Sequence, residues 1–239
     1  MENLIPLPKH LSLHHATGLR EREPIAQYEL GSTKNFVYLI LDWSSKKAAI
    51  VDPQKDLELV LSELKNNGFE LVSILLTHTH HDHTIGVAPL LSLFPKLELR
   101  VGKEDLHRLS SVSSVATGLL LLKDGEQFKV GQLILTAHHT PGHSAGEFCY
   151  FLPKSSEVTH PYLFTGDTIF IRDCGRTDFP DGSNEEMFSS IQKVKKFPLE
   201  TVLLVGHHYA EECATTLASE IKNSPPFQCK NVSELAALP

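Results

Sequence analysis

Residues 77–86 read THTHHDHTIG and place four histidines and an aspartate within ten positions. Imidazole and carboxylate groups suit zinc, and also iron or manganese. In the His-x-His part, His78 and His80 point to the same side of an extended segment, so both rings can hold one ion. Asp82 and His83, displaced as the chain turns into a helix, can reach a second ion. The stretch therefore predicts a metal site.

Three later apolar strands are also predicted to end at a residue that can bind a metal. These residues are His143 in TPGH, Asp167 in LFTGD, and His207 or His208 in LLVGHHY. Taken singly, each has a structural explanation, because TPGHS is a common turn and a Gly-Asp pair often caps a strand. Their joint occurrence in this order favours a metal centre. Seven ligands suffice for two ions that share one carboxylate and hold a water between them.

The first half of the chain predicts strands that lead into the histidine-rich stretch. Apolar runs at 35–43, 47–53 and 70–78 have the composition of strands. Between the last two, apolar residues recur at helical spacing from Asp56, which is a candidate N-cap, and Gly68 is expected to end that helix. The histidine-rich stretch is thus expected at the end of a buried strand.

The second half continues with strands and then helices. Ser183 and Glu186 have the spacing of a capping box, which predicts a helix start there. A last buried strand is predicted over 201–209, followed by a helix from about Ala210 to Lys222. Strands that come in runs, with helices between and after them, indicate an α+β fold in which packed sheets are covered by helices. No linker is apparent, so residues 1–239 are predicted to form a single domain.

Composition narrows the class of protein. Of the 239 residues, 41% are hydrophobic and 21% are charged, which is typical of a globular protein. The net charge of −7 argues against nucleic-acid binding. The four cysteines include no CxxC pair, which excludes a zinc ribbon. With no secretory h-region and no run of about 20 apolar residues, the sequence predicts a soluble cytoplasmic protein without membrane contact.

The motifs resemble those of a known family. THTHHDH matches the HxHxDH signature of the metallo-β-lactamase fold superfamily, and TPGHS, FTGDT and VGHHY match its remaining ligand positions in the right order. The resemblance runs from about Phe36 to Tyr209. It implies a four-layer αβ/βα sandwich with the metal site at the edge between two sheets. It also implies two divalent ions, most often zinc, with iron or manganese as alternatives.

The resemblance assigns a role to each ligand position. It implies that the first metal is held by His78, His80 and His143, the second by Asp82, His83 and His207, and that Asp167 bridges the two. His207 is preferred over His208 because it directly follows the Val-Gly pair, as the last ligand of the family does.

One segment narrows the choice within the superfamily. FTGDTIFIRDCGRTDF resembles glyoxalase II, the hydroxyacylglutathione hydrolases, in which a basic residue after a Cys-Gly pair binds the glutathione carboxylate. Arg176 occupies that position, and Tyr209 matches a tyrosine that contacts glutathione. A guanidinium suits bidentate carboxylate binding, although Arg176 could instead form a surface ion pair. Only 32 residues (208–239) follow His207, so the chain resembles the shorter glyoxalase II-like hydrolases, which lack a helical carboxy-terminal domain.

The resemblance implies hydrolysis of a small thioester by a hydroxide held between the metals. Thioesters of glutathione are among the candidate substrates. Asp167 would bridge the ions, and Asp82 could also orient the nucleophile. A thiolate leaves readily because thiol pKa values are about 8.5, so no strong general acid is required. Asp52, in VDP, is a candidate for orienting a ligand histidine. Cys174 is expected near the site, whereas Cys149 is expected to be buried in a strand.

Two alternatives stay open. The segment GRTDF also occurs in the persulfide dioxygenases of the superfamily, where residues matching His78, His143 and Asp167 hold a single iron. A non-catalytic binding protein on the same fold is the other alternative, and it would be expected to lose ligands, whereas all seven are present. A nuclease is disfavoured by the negative charge, and a true β-lactamase would need an export signal. No pattern predicts the oligomeric state.

Overall fold

A computed structural model of the chain describes residues 18–20, 22–109 and 116–239. It contains two six-stranded sheets and a small two-stranded sheet. The strands are β1 (Ile25–Leu30), β2 (Asn35–Asp42), β3 (Lys47–Val51), β4 (Glu70–Leu75), β5 (Glu98–Val101), β6 (Gly118–Leu121), β7 (Gln127–Val130), β8 (Leu133–His139), β9 (Phe148–Leu152), β10 (Tyr162–Gly166), β11 (Ile169–Phe170), β12 (Asp173–Cys174), β13 (Val202–Val205) and β14 (Thr215–Thr216).

Helices connect and cover the sheets. They are α1 (Glu58–Asn66), α2 (His81–Thr84), α3 (Val87–Leu93), α4 (Asn184–Val194), α5 (Leu217–Asn223), α6 (Pro225–Gln228) and α7 (Val232–Ala236), together with a 3₁₀ helix over Lys103–Leu109. In the part of the chain that the structure describes, no helix has the length and apolar character that crossing a bilayer requires.

The two large sheets have similar mixed topologies. The first has the order β1-β2-β3-β4-β5-β6, with antiparallel pairing up to β3 and parallel pairing beyond it. The second has the order β14-β13-β10-β9-β8-β7, and only its β10–β13 pair is parallel. Parallel neighbours end at the same edge of a sheet, so residues that follow β10 and β13 are brought side by side.

Three apolar clusters define the layers. The central cluster contains buried side chains of both sheets, among them Tyr38, Tyr150 and Phe164. A second cluster packs α1 and α3 on the outer face of the first sheet, and a third packs α4 and the carboxy-terminal helices on the outer face of the second. The order is therefore helix, sheet, sheet, helix. The predicted αβ/βα sandwich is confirmed.

Most predicted elements occur, with two local corrections. The prediction that Asp56 caps α1 was wrong: the N-cap is Leu57, without a side-chain hydrogen bond. Asp56 has a φ of 64°, a left-handed conformation in which aspartate is enriched, so its backbone serves the turn before the helix. Gly68 ends the helix as predicted, with a φ of 71°. The Ser183 hydroxyl accepts from the Glu186 amide over 3.2 Å, which confirms the start of α4.

The helix predicted from about Ala210 begins later than expected. Residues 215–216 form β14, which pairs with Val202 and Leu203 of β13, and Thr216 then caps α5 by accepting from the Ser219 amide. Pairing with the sheet edge outweighs the helical propensity of the segment. The assignment of residues 1–239 to a single domain stays a prediction.

Candidate metal centre

The first four candidate ligands follow the central strand β4. The chain leaves β4 at Leu75 and passes His78 and His80 in an extended loop. His80 has φ and ψ of −61° and 149° and is the N-cap of α2, whose first turn carries Asp82 and His83. The His-x-His pair is thus extended and the Asp-His pair is helical, as the sequence predicts.

The other three candidate ligands come from the second sheet. His143 lies in the loop between β8 and β9, and Asp167 directly follows β10. His207 follows the parallel neighbour β13, so its side chain reaches the same edge as Asp167. His208 points elsewhere, with its Nδ1 atom 2.6 Å from an Oε2 atom of Glu29.

All seven predicted ligand positions converge. Their donor atoms form three groups, in each of which every donor lies within 4.8 Å of the others: His78, His80 and His143; His78, His83 and Asp167; and Asp82, His83 and His207. The first and third groups are called here the first and second half-sites. Asp167 lies between them, with its Oδ2 atom 3.5 Å from His143 Nε2 and 3.4 Å from His207 Nε2.

Hydrogen bonds fix the direction of the imidazole lone pairs. The Nδ1 atom of His143 is 2.8 Å from the Arg176 carbonyl oxygen, and that of His207 is 2.9 Å from the Thr33 carbonyl oxygen. A carbonyl can only accept, so each Nδ1 carries the hydrogen and each Nε2 presents its lone pair to the centre. This is the arrangement that metal-binding histidines require.

Asp52, predicted as an orienting residue, performs the same task for His83 directly and for His78 through Thr77. Its Oδ2 atom accepts from His83 Nδ1 over 3.1 Å and from the Thr77 hydroxyl over 2.6 Å. Because Thr77 donates its one hydroxyl hydrogen to Asp52, it can only accept from His78 Nδ1, 3.1 Å away. The Nε2 atoms of His78 and His83 are therefore free to coordinate.

The donor set fits divalent metal ions. The Nε2 atoms of His83 and His207 face each other at 3.1 Å, and in the neutral tautomers just given each carries a lone pair. Two lone pairs at this distance repel unless a cation or a proton lies between them. His78 Nε2 and an Asp167 oxygen are buried without a hydrogen-bond partner among the described residues. Nitrogen and oxygen donors that are buried and unsatisfied match the preference of zinc, iron and manganese.

Metal uptake is expected to release a proton from His83. Burial alone would lower the pKa of His83, but the carboxylates of Asp167 and Asp52 outweigh it and raise the pKa to about 9. The metal-free protein thus carries a proton here at pH 7, and this proton must leave before the ring can coordinate. Affinity for the ion is expected to fall about tenfold for each unit of pH below 9.

Proton NMR of the metal-free protein between pH 7 and pH 10 measures this protonation directly. The ring protons of His83 should titrate with a midpoint near 9. A His83 ring that stayed neutral over the whole range would contradict the assignment of that proton.

Three contacts around the centre were not predicted. The Asn35 amide donates to Asp82 Oδ2 over 3.0 Å. Glu147 is fully buried, accepts from the Asp167 amide over 2.8 Å, and its pKa is raised well above the usual range by burial and by the Asp167 charge. Asp105 binds the loops of the first half-site. An acidic residue at the start of an apolar strand, as in GEFCYF, is the one local signal that could have indicated Glu147.

An open cleft of about 430 Å³ leads to the centre, and its lining includes both predicted substrate-binding residues, Arg176 and Tyr209. The Tyr209 ring stacks on the His207 ring, with 4.7 Å between centroids and 6° between planes, and is 64% exposed. Cys174 also lines the cleft, which confirms its expected place near the site, and Cys149 is buried as expected.

Arg176 forms an ion pair at the mouth of the cleft. Its Nε and Nη2 atoms each lie 2.6 Å from a carboxylate oxygen of Asp178, and its guanidinium lies 4.7 Å from the Phe179 ring centroid. The surface ion pair that the sequence left as an alternative is therefore present. The same guanidinium remains exposed beside the cleft, where another carboxylate could replace Asp178.

Comparison with known proteins agrees with this geometry. Residues 32–207 match the family model of the metallo-beta-lactamase superfamily. A Bacillus velezensis protein named "Probable polyketide biosynthesis zinc-dependent hydrolase BaeB" is 33% identical over 196 residues, which are 81% of this chain and 82% of that protein. A hydroxyacylglutathione hydrolase of Cronobacter sakazakii is 33% identical over 205 residues, or 85% of this chain and 74% of that enzyme.

A solved structure shows the same fold. ETHE1 from Myxococcus xanthus superposes with a TM-score of 0.75 at 25% identity, covering 90% of this chain and 92% of that one. The family model spans most of the chain and includes every residue of the two half-sites. The chain belongs to the metallo-β-lactamase superfamily.

Proposed function

We propose that this protein is a dinuclear metal-dependent hydrolase that cleaves a small thioester such as a hydroxyacylglutathione. The observation that carries the proposal is the complete second half-site, in which Asp82, His83 and His207 converge and Asp52 orients the central imidazole. This set fits a dinuclear hydrolase at least as well as the single-iron alternative. The similarity to hydroxyacylglutathione hydrolases supports the substrate class.

In the proposed centre His78, His80 and His143 would hold one ion, Asp82, His83 and His207 would hold the other, and Asp167 would be shared between them. Zinc is the expected metal, since the donors suit it and a relative is named as zinc-dependent. When bound, the ions supply a hydroxide at neutral pH and polarise the substrate carbonyl.

The protein supplies orientation at this centre. Asp82 is proposed to orient the nucleophile, and it is held for this by the Asn35 amide. Arg176 and Tyr209 are proposed to bind the substrate at the mouth of the cleft, where both side chains are exposed. The substrate is thus expected to carry a carboxylate near its thioester.

A cytoplasmic location belongs to the same proposal. The four cysteines, all within the described residues, are free thiols. Glutathione thioesters and reduced thiols both belong to a reducing compartment.

Metal content and substrate turnover together test the proposal. The full chain is purified without added metal, its metals are measured by elemental analysis, and hydrolysis of S-lactoylglutathione is followed. About two metal ions per chain with thioester turnover would support the hydrolase. One iron per chain, no thioester turnover and oxygen uptake on glutathione persulfide would replace it with the dioxygenase alternative.

Replacing Asp178 by asparagine is expected to lower the KM for an anionic thioester. The substitution removes the carboxylate that pairs with the Arg176 guanidinium. A substrate carboxylate then no longer has to displace it. Exposed ion pairs are weak, so a change of about two- to fivefold is expected, with kcat unchanged. Arg176→Ala is expected to raise the same KM by a similar factor.

Steady-state kinetics with S-lactoylglutathione and with a neutral acyl thioester check this prediction. The neutral substrate is the control and should respond to neither change. If Arg176→Ala left the KM of the anionic substrate unaltered, Arg176 would be a structural residue only.

A further inference from the structure

A fully buried carboxylate lies behind the first half-site. Asp105 belongs to the 3₁₀ helix, has no exposed surface, and is absent from the predicted ligand set. Its Oδ2 atom accepts from the Thr79 amide over 3.1 Å and from the Ser144 hydroxyl over 2.9 Å. Its Oδ1 atom accepts from the Gly146 amide over 2.9 Å. Burying a carboxylate is costly unless it is fully hydrogen-bonded, so these contacts account for its presence.

The partners of Asp105 lie next to the ligands of one half-site. Thr79 lies between His78 and His80, and its hydroxyl also donates to the Asp105 carbonyl oxygen over 3.0 Å. Ser144 directly follows His143. One carboxylate therefore joins the two loops that carry all three histidines of the first half-site, although those loops leave different sheets.

The backbone is shaped for this contact. A Cβ atom at Gly146 would lie 2.7 Å from atoms of Asp105, and one at Gly102 would lie 2.0 Å from the Gly146 carbonyl oxygen. Only glycine permits so close an approach of the loop to the carboxylate. The position of the His143 loop is thus set by contact with Asp105.

A charged neighbour extends the contact to the cleft. Arg108 lies 3.2 Å from Asp105 Oδ1 through Nη1 and pairs through Nη2 with Asp181. Asp181 belongs to the same loop as Arg176. The network therefore runs from the first half-site to the substrate side of the cleft.

Asp52 makes the corresponding contacts on the other half-site. Its oxygens accept from the Thr77 amide over 2.8 Å and from His83 Nδ1 over 3.1 Å. No contact joins Asp105 to His83 or His207 among the described residues. Asp105 thus contacts only the loops of the first half-site, whereas Asp52 reaches His83 directly and His78 through Thr77.

We propose that Asp105 is a positioning residue of the first half-site. The proposal rests on the proposed dinuclear centre, but its test does not depend on hydrolysis. Removing the Asp105 charge should weaken binding of the ion at His78, His80 and His143 by about 10- to 100-fold and leave the other ion unchanged.

Cadmium-113 NMR on the full chain measures each half-site separately. The metal-free protein is titrated with ¹¹³Cd, and each resonance is assigned by its coupling to ring protons of His143 or of His83. In Asp105→Asn, the resonance coupled to His143 should shift, broaden or require excess cadmium, while the other stays unchanged. Asp52→Asn is the comparison: because Asp52 contacts His83 directly and His78 only through Thr77, it should move the resonance coupled to His83 more than the other.

The proposal would be overturned if Asp105→Asn changed both resonances alike, or changed neither. If that variant does not fold, Ser144→Ala decides, because it removes one bond to Asp105 and leaves the carboxylate in place: the resonance coupled to His143 alone should move, and an unchanged spectrum would overturn the proposal. A wild type that binds both ions but does not hydrolyse S-lactoylglutathione would overturn the proposed substrate alone. A wild type without the resonance coupled to His143 would overturn both the proposed dinuclear centre and the role of Asp105.

Discussion

Asp167→Ala is expected to reduce thioester turnover by more than about 100-fold and to lower the metal content of the purified protein. The carboxylate lies between the half-sites, with oxygens 3.4 Å from both His83 Nε2 and His207 Nε2. Loss of residues that only support ligands already costs 10- to 100-fold in activity or metal affinity, so loss of the shared ligand should cost more. Steady-state kinetics and elemental analysis on the same preparation measure both effects.

The control for this substitution is another aspartate outside the site. Asp124 pairs with Lys193 at the surface, so Asp124→Ala should leave kcat and metal content within a factor of two of wild type. Asp167→Asn separates charge from size, and it should lose metal as Asp167→Ala does. An Asp167→Ala protein that retained full turnover with its metals would remove Asp167 from the mechanism.

Gly206→Ala is expected to disturb the centre without replacing any ligand. A Cβ atom at this position would lie 2.2 Å from an oxygen of Asp167 and 2.9 Å from backbone atoms of Gly166. The Asp167 carboxylate cannot move aside freely, because it is buried and surrounded by three imidazoles. We expect a loss of at least about tenfold in kcat and of 1–3 kcal/mol in the free energy of unfolding, as for other overpacked sites.

Gly68→Ala separates general destabilisation from damage to the site. Gly68 has a φ of 71°, so alanine is strained there, but no atom lies within 4 Å of the added Cβ. Its free energy of unfolding should fall by about 1 kcal/mol while kcat stays unchanged. If Gly206→Ala lost stability to the same extent but kept wild-type kcat and metal content, the close contact with Asp167 would have no functional importance.

The sequence predicted the site residues that lie in short motifs or directly after predicted strands. His78, His80, Asp82 and His83 belong to one short motif, and Asp52 was a candidate in the VDP segment at the end of a predicted strand. The preference for His207 over His208 agrees with the structure, where only His207 joins the cluster. Strand ends that carry polar side chains were sufficient to locate this edge of the sandwich.

The sequence could not predict contacts that depend on packing between distant segments. Asp105 lies in a helix that no apolar periodicity marked, and its partners come from loops 26 and 41 positions away. Asn35 meets Asp82 across 47 positions. The late start of α5 has the same origin, because β14 forms only when β13 offers an edge. Tertiary pairing decided these features, and local propensity did not.

The division of the donors between two sheets also bears on biosynthesis. His78 and His80 follow a strand of the first sheet, whereas His207 follows a strand of the second that is made much later by the ribosome. A nascent chain that ends before β8 has the HxHxDH motif but none of the ligands from the second sheet, so it holds exposed histidines without the geometry to select a metal. On the proposed ligand set, the correct ions enter after both sheets have closed on each other, and the folded scaffold makes the selection.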